Sequence, residues 1–371
     1  MQAHLSGLGY TKIELVNYFL SHLIPSSLSF YRTMSTSVFV TGATGFIAQH
    51  IIKLLLSKGY SVVGTVRSSE KGENLKHLFD SEAFTYEIVP SLVTPGAFDK
   101  ALQNHPEVTV FLHTASPVVF NVTSIEEELL TPAVEGTKNA FSAIKKYGAN
   151  VKHVVVTSSV AANIDPSRSK DPAYIISEDT WSPLTWEQSQ ANAILGYFGS
   201  KRFAEKAAWD FYEREKPAFT LNTINPVYVF GPQAFDAEVK DQLNASMEVV
   251  NQLLKLGPDS DIPANSGGFV DVRDVAKAHL AAFEDGFSGK RLLLRTEAFT
   301  SQDLLDILNN NFDSLKKKLP IGTPGTGKEL AGPSAGLDNE KTKKLLGFPF
   351  IDLETSVVDS VSQILRARKS E

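Results

Sequence analysis

The chain has 371 residues, of which 42% are hydrophobic and 21% charged, and its formal net charge is −6. That mix suits about two soluble globular domains; it excludes a disordered or collagen-like chain, and the mild acidity argues against a dedicated nucleic-acid binder. The sequence contains no cysteine, which removes disulfides, a cysteine nucleophile, iron–sulfur clusters and cysteine-rich zinc sites together.

The first 33 residues are apolar around Leu15 to Leu23 and carry only Lys12, Glu14 and Arg32 as charges. They match neither a secretory signal nor an arginine-rich presequence. They are expected to lie outside the fold, as an extension ahead of a working chain that starts at Met34. No apolar run is long enough to span a membrane, and the eight scattered histidines form no ligand pair of the His-Glu-x-x-His kind. No metal and no membrane partner are therefore expected, and the location is expected to be cytoplasmic.

Ser37 to Thr41 is a short apolar run that reads as a strand. A glycine-rich turn follows, then apolar residues at helical spacing from Ile47 to Leu56, then a second strand from Ser61 to Val66. Phe84 to Val89 and Val108 to His113 read as further strands with a helix between them. Glu126 to Tyr147 is expected to be one long helix. Val151 to Thr157 is the most apolar strand and is placed centrally. Gly196 to Arg214 reads as a helix and Phe219 to Asn225 as a strand. This alternation predicts an α/β fold: a Rossmann-type, doubly wound parallel sheet. After Gly231-Pro232 the pattern turns mainly helical. The expected division is a nucleotide-binding part over 34–230, a return to it at 269–283, and a smaller substrate lobe over 231–371.

Four constellations carry chemistry. In Thr41-Gly42-Ala43-Thr44-Gly45-Phe46-Ile47-Ala48, Gly42 permits the tight turn, Gly45 lets backbone approach a pyrophosphate, and Ala48 lets the helix pack closely. The helix start then offers free N–H groups to phosphate. The competing reading is an ordinary β-α turn; the strand before and the helix after, both visible here, are the context that a dinucleotide turn requires. At the end of the second strand stand Arg67 and Lys71. An NAD site places an acid there for the ribose 2′-hydroxyl; two bases suit a 2′-phosphate instead, so NADPH is expected. A merely solvated pair at a helix start competes for Lys71 more than for Arg67.

Tyr197 and Lys201 are four residues apart, on one helix face. A cation beside the phenol is expected to lower its pKa and make it a general acid. Val154 to Val156 leads into Thr157-Ser158-Ser159, a buried strand ending in hydroxyls where ligands of such sheets bind. Ser159 is expected to polarise a carbonyl oxygen; for Ser158 a capping or turn role is the better reading. Gly322 to Lys328 imitates a phosphate loop, but Glu329 replaces the metal-binding hydroxyl and no strand precedes it.

Together with Asn225-Pro-Val-Tyr-Val-Phe-Gly-Pro232, these motifs resemble the extended short-chain dehydrogenases/reductases over about 34–371. His113-Thr-Ala-Ser-Pro117, Lys201 to Trp209 and Asp271 to Leu280 are similar to a branch of NADPH-dependent methylglyoxal and isovaleraldehyde reductases, with plant dihydroflavonol and cinnamoyl-CoA reductases more distant. The resemblance implies catalytic Ser159, Tyr197 and Lys201. It implies NADPH contacts from Gly42, Ala43, Thr44, Gly45, Phe46, Ile47, Arg67, Lys71, Val229 and Ser246, with Tyr197 and Lys201 on the nicotinamide ribose. Ser91 and Leu92 take the place where relatives hold adenine with aspartate. Val118, Val160, Ile194 and Tyr228 are the implied pocket walls, Val160 standing where an aromatic residue is common. The implied reaction is reduction of small aldehydes and ketones by a monomer or homodimer. A sugar-nucleotide epimerase or dehydratase and a non-catalytic NADP sensor are the alternatives.

Overall fold

The computed structural model describes residues 36–116 and 122–368. The N-terminal extension and Val118 lie outside them. Seven parallel strands form the main sheet: β1 (Ser37–Thr41), β2 (Ser61–Val66), β3 (Phe84–Ile88), β4 (Val108–His113), β5 (His153–Thr157), β7 (Thr220–Pro226) and β10 (Lys290–Leu294), with order β10-β7-β5-β4-β1-β2-β3. The two-residue β6 (Ile175–Ile176) stands apart and pairs with β12 (Gly336–Leu337). The apolar run that ends in the two serines is central, between β4 and β7.

Successive side chains of a strand point to opposite faces. Val38 and Val40 of β1 therefore join the core on one face, and Phe39 joins the core on the other. On the first face pack α1 (Phe46–Ser57) and, much later in the chain, α7 (Val272–Glu284). The opposite face is covered by α3 (Asp99–Gln103), α4 (Thr131–Tyr147) and α5 (Ala193–Glu215), while α2 (Ser69–Phe79) follows β2. The inner strands β1, β4 and β5 are thus buried on both sides, which is why they read as near-continuous apolar runs, whereas the edge strand β3 is partly exposed.

One expectation is refined and one corrected. The helix expected at 126–147 runs through, but it opens with a wide π turn, Glu126–Leu130, and the regular helix α4 starts at Thr131. Pro132 stands in the first turn of α4, where it has no N–H to give to an upstream carbonyl. The part after Gly231 is also less helical than expected. Residues β8 (Tyr228–Phe230), β9 (Ser266–Asp271) and β11 (Glu297–Thr300) form a second, three-stranded sheet. Its core unites Phe230, Phe269 and Phe299 with α6 (Ala245–Leu253), α8 (Ser301–Asn311) and α11 (Leu353–Ala367); α9 (Gly327–Ala331) and α10 (Glu340–Leu346) are short. The return at 269–283 extends further than expected, because residues 290–294 supply the edge strand of the main sheet through their register with β7.

Candidate active site

The strand order reverses beside β1: the chain proceeds from β1 to β2 and β3 on one side, and from β4 to β5 and β7 on the other. In open α/β sheets the crevice beyond such a reversal is where ligands bind. Thr41 closes it. Its hydroxyl accepts from the Thr114 and Ala115 backbone N–H groups, each at 3.0 Å, so its own proton goes to His113 Nδ1, also at 3.0 Å. That bond makes Nδ1 the acceptor and leaves the His113 proton on Nε2.

The glycine turn is held from beside it. Gly42 N donates to Thr65 Oγ1 and Ala43 N to the Thr65 carbonyl. Gly42 has φ of +69°, a region that glycine occupies without cost. Gly45 precedes α1, whose first turn has no side-chain cap and no acidic residue. Thr44 and Gly45 are exposed, and Phe46 and Ile47 half-buried. These free N–H groups and the dipole of α1 suit a pyrophosphate. Arg67 and Lys71 are both exposed at the end of β2 and the start of α2, and neither side chain is paired with another described residue. Ser91 and Leu92 lie half-buried just past β3, with the Leu92 carbonyl taken by Asn139. Val229 N donates to Ser246 Oγ, which brings the two remaining expected cofactor contacts together. The residues present fit NADPH along this whole line.

At the other end, Tyr197 Oη donates to Ser159 Oγ at 3.3 Å. Asn192 caps α5 through Leu195 N, which fixes where the helix starts and so where Tyr197 points. Ser159 also accepts from Ala161 N, as the cap of a short turn. Lys201 is buried, its Nζ 5.5 Å from the Tyr197 ring centre and donating to Ser116 Oγ. The expected depression of the tyrosine pKa is absent here. Burial holds the phenol above its ordinary value, the Ser159 hydrogen bond works against that, and Tyr228 adds to it. Burial also brings Lys201 down to about 8. Desolvation disfavours both charged forms, and in this pocket it outweighs their attraction. The phenol is thereby kept protonated, which suits an acid rather than a base.

Ser158 does not cap the chain. Its hydroxyl donates to the buried carboxylate of Glu205, a residue the sequence reading passed over. Its spacing of four residues after Lys201 was the available signal. Ile194, in the first turn of α5, and Tyr228 are 64% and 43% exposed, and Tyr228 packs edge-on against Phe299. Half-buried Val160 rests against the small core of Tyr174, Ile176 and Leu293. The phosphate-loop lookalike is closed: Thr323 N and Gly325 N already donate to Gln302 and Asp306.

The glycine turn, the paired Ser159 and Tyr197 and the switch-point crevice agree with a family model, that of the NAD dependent epimerase/dehydratase family, which matches residues 38–293. The chain belongs to this family. It is 49% identical over 336 residues to the NADPH-dependent methylglyoxal reductase of Saccharomyces cerevisiae, covering 89% of this chain and 98% of that protein. The crystal structure of Gre2 from Candida albicans in complex with NADPH superposes with a TM-score of 0.87 at 52% identity, over 90% of this chain and 99% of that one. A cinnamoyl-CoA reductase of Medicago truncatula is 33% identical over 333 residues, 88% of this chain and 95% of the other. Among the described residues no helix is long and apolar enough to cross a membrane.

Two family-site histidines make a testable demand on stability. His113 and His279 are buried, and desolvation pulls each from 6.5 to about 4. His279 accepts from Thr157 through Nε2 and gives its Nδ1 proton to the Val275 carbonyl. Unfolded histidines take up protons near 6.5 and these do not until about 4, so stability is lost as pH falls through that window. At pH 5 each should have cost about 2 kcal/mol. Thermal melts between pH 7.5 and 4.5 should show the decline beginning near 6.5; a flat melting temperature down to 5 would contradict the neutral, buried assignment.

Proposed function

We propose that this protein reduces small aldehydes and ketones to alcohols with NADPH, methylglyoxal- and isovaleraldehyde-type carbonyls included. The observation that carries the proposal is the Tyr197–Ser159 hydroxyl pair, backed on the same helix by Lys201. The names of the Saccharomyces and Candida relatives support it.

The α1 N-terminus and residues 42–47 hold the diphosphate, and Arg67 and Lys71 hold the 2′-phosphate. Ser91 and Leu92 border the adenine, and Val229 and Ser246 the nicotinamide end. Bound NADPH supplies the hydride. Tyr197 and Ser159 both donate hydrogen bonds to the substrate carbonyl oxygen, which polarises it and fixes its distance. As the carbonyl carbon is reduced, the oxygen takes the Tyr197 proton, and the ammonium of Lys201 stabilises the phenolate left behind. Ile194, Tyr228, Val160 and Val118 are the proposed walls; Ile194 stands on α5, Tyr228 on the second sheet and Val160 in the short turn after β5.

The family name also covers sugar-nucleotide chemistry. Isoleucine and tyrosine among the proposed walls suit a small apolar carbonyl better than a second diphosphate, and an NADP sensor has no use for a bonded tyrosine–serine pair.

Following NADPH absorbance with methylglyoxal, isovaleraldehyde and simple ketones, with NADH in parallel, tests the reading. Oxidation of NADPH in strong preference to NADH is expected. Tight NADPH binding with no oxidation by any carbonyl would end it. Arg67→Glu should weaken NADPH roughly 100-fold, since it removes a charge-assisted contact and adds a repulsion, and should leave NADH affinity within about threefold or improve it. Fluorescence titration of both cofactors checks this; equal losses for the two would move the 2′-phosphate site elsewhere.

A further inference from the structure

Glu205 is 1% exposed and belongs to no step described above. A buried carboxylate is costly unless its oxygens are filled. Here they are filled by four donors. Arg291 Nε at 2.6 Å and Trp209 Nε1 at 3.2 Å reach one oxygen, beside Thr223, whose single hydroxyl proton goes to Asn225 Oδ1 at 2.8 Å. Asn225 Nδ2 at 2.7 Å and the Ser158 hydroxyl reach the other. These donors come from β10, β7, the end of β5 and α5 itself. Arg291 is in turn stacked 3.8 Å over Trp181 and donates to the carbonyls of Glu178 and Thr180.

The node has two outputs, and both are parts of the site. On the α5 side, Tyr197, Lys201 and Glu205 recur every four residues, so they share a face. On the β5 side, Ser158 adjoins Ser159, and Asn225 Nδ2 also donates to the Ser159 carbonyl and to Asn163 Oδ1. Glu205 thus reaches the serine strand end twice, directly through Ser158 and by way of Asn225 to the Ser159 carbonyl. We propose that Glu205 is a positioning residue: it sets the distance between the helix that carries Tyr197 and the strand end that carries Ser159. The proposal rests on the reading of Ser159 and Tyr197 as the carbonyl-binding pair.

The donor inventory says why glutamine cannot replace it. Arg291 Nε and Trp209 Nε1 can only donate. Asn225 cannot turn its amide, because the Ser159 carbonyl beside it can only accept. Each oxygen of Glu205 therefore faces at least one obligate donor. An amide NH₂ placed on either side meets a donor, and α5 and β5 must separate.

The test is a double-mutant cycle on kcat in the full chain with NADPH and methylglyoxal, using Glu205→Gln, Ser159→Ala and both. Glu205→Gln is expected to lower kcat about 30-fold and Ser159→Ala about 100-fold, with the double variant within about threefold of Ser159→Ala alone, because a residue acting through Ser159 has nothing left to position. NADPH Kd should stay within about threefold of the parent value, which a general loosening of the fold would not allow. Multiplying losses in the double variant, or an unchanged kcat in Glu205→Gln, overturn the proposal. An unchanged kcat in Ser159→Ala overturns the carbonyl-binding pair itself, and the proposal with it. Should Glu205→Gln fail to fold, Ser158→Ala removes one donor and leaves three. It is expected to lower kcat about fivefold and to be silent in the Ser159→Ala background; a further loss there overturns the proposal equally.

Discussion

Tyr197→Phe is expected to lower kcat by about 10³-fold while leaving NADPH affinity within about twofold. The argument is geometric before it is chemical. The phenol donates to Ser159 Oγ in the free protein, so it already stands where a carbonyl oxygen must lie to touch both hydroxyls. Burial holds its pKa above the ordinary value, so the proton is present at neutral pH. Removing the oxygen takes away the proton and one of two hydrogen bonds to the developing alkoxide. It does little else. The ring stays edge-on to Phe198, and Ser159 still accepts from Ala161 N, so the hydroxyl left behind is not orphaned. Steady-state kinetics with a fluorescence titration of NADPH separates the two quantities. A variant that keeps more than about a tenth of kcat would assign the proton to another group.

Gly42→Val is expected to weaken NADPH binding by 100-fold or more and to destabilise the fold by about 3 kcal/mol. Two costs add. The backbone at +69° is strained for any side chain and most of all for a β-branched one. A Cβ placed there would lie 3.0 Å from Ala115 Cα and 3.1 Å from Ala115 Cβ, closer than carbon atoms pack. Ala115 sits on the strand end that Thr41 ties to β1, so it cannot retreat without breaking those bonds. The turn must open, and the N–H groups at the start of α1 then lose their aim. Gly59→Ala is the control. Its φ is +84°, yet nothing lies within 4 Å of a new Cβ. It should cost about 1 kcal/mol and leave NADPH affinity unchanged. Denaturant melts and cofactor titrations of the two variants make the comparison. Equal behaviour of both would mean that strain alone, and not the approach to Ala115, governs the turn.

Much of the site was legible because its signals are local. A turn needs its glycine at one position, a helix face recurs every four residues, and a strand that ends in hydroxyls shows both features in three residues. Gly42, Tyr197 with Lys201, and Ser159 follow from such rules, and their positions at the sheet switch point agree with them. Other parts were illegible for an equally physical reason. Glu205 reads as one charged residue on a helix full of charges; its partners Arg291, Asn225 and Ser158 are scattered over more than 130 positions, and only folding brings them to one carboxylate. The strand at Lys290–Leu294 is short, follows a run of helix, and pairs with a partner about 70 residues earlier. Strand pairing is non-local, so its register leaves no mark in the segment itself. The change from a wide to a regular turn at Thr131 agrees with Pro132, since proline is favoured in a first helical turn.

The α/β alternation, the glycine turn, the basic pair after β2 and the proposed acid Tyr197 can be read without the fold, because each is written in residues that are close along the chain. Tertiary structure alone decided the protonation of that acid. Spacing predicts a phenol made acidic by its lysine; burial raises Tyr197 and lowers Lys201 to about 8. Desolvation depends on everything packed around a group, from β4, α5 and the second sheet alike, and no spacing of two residues on one helix encodes it.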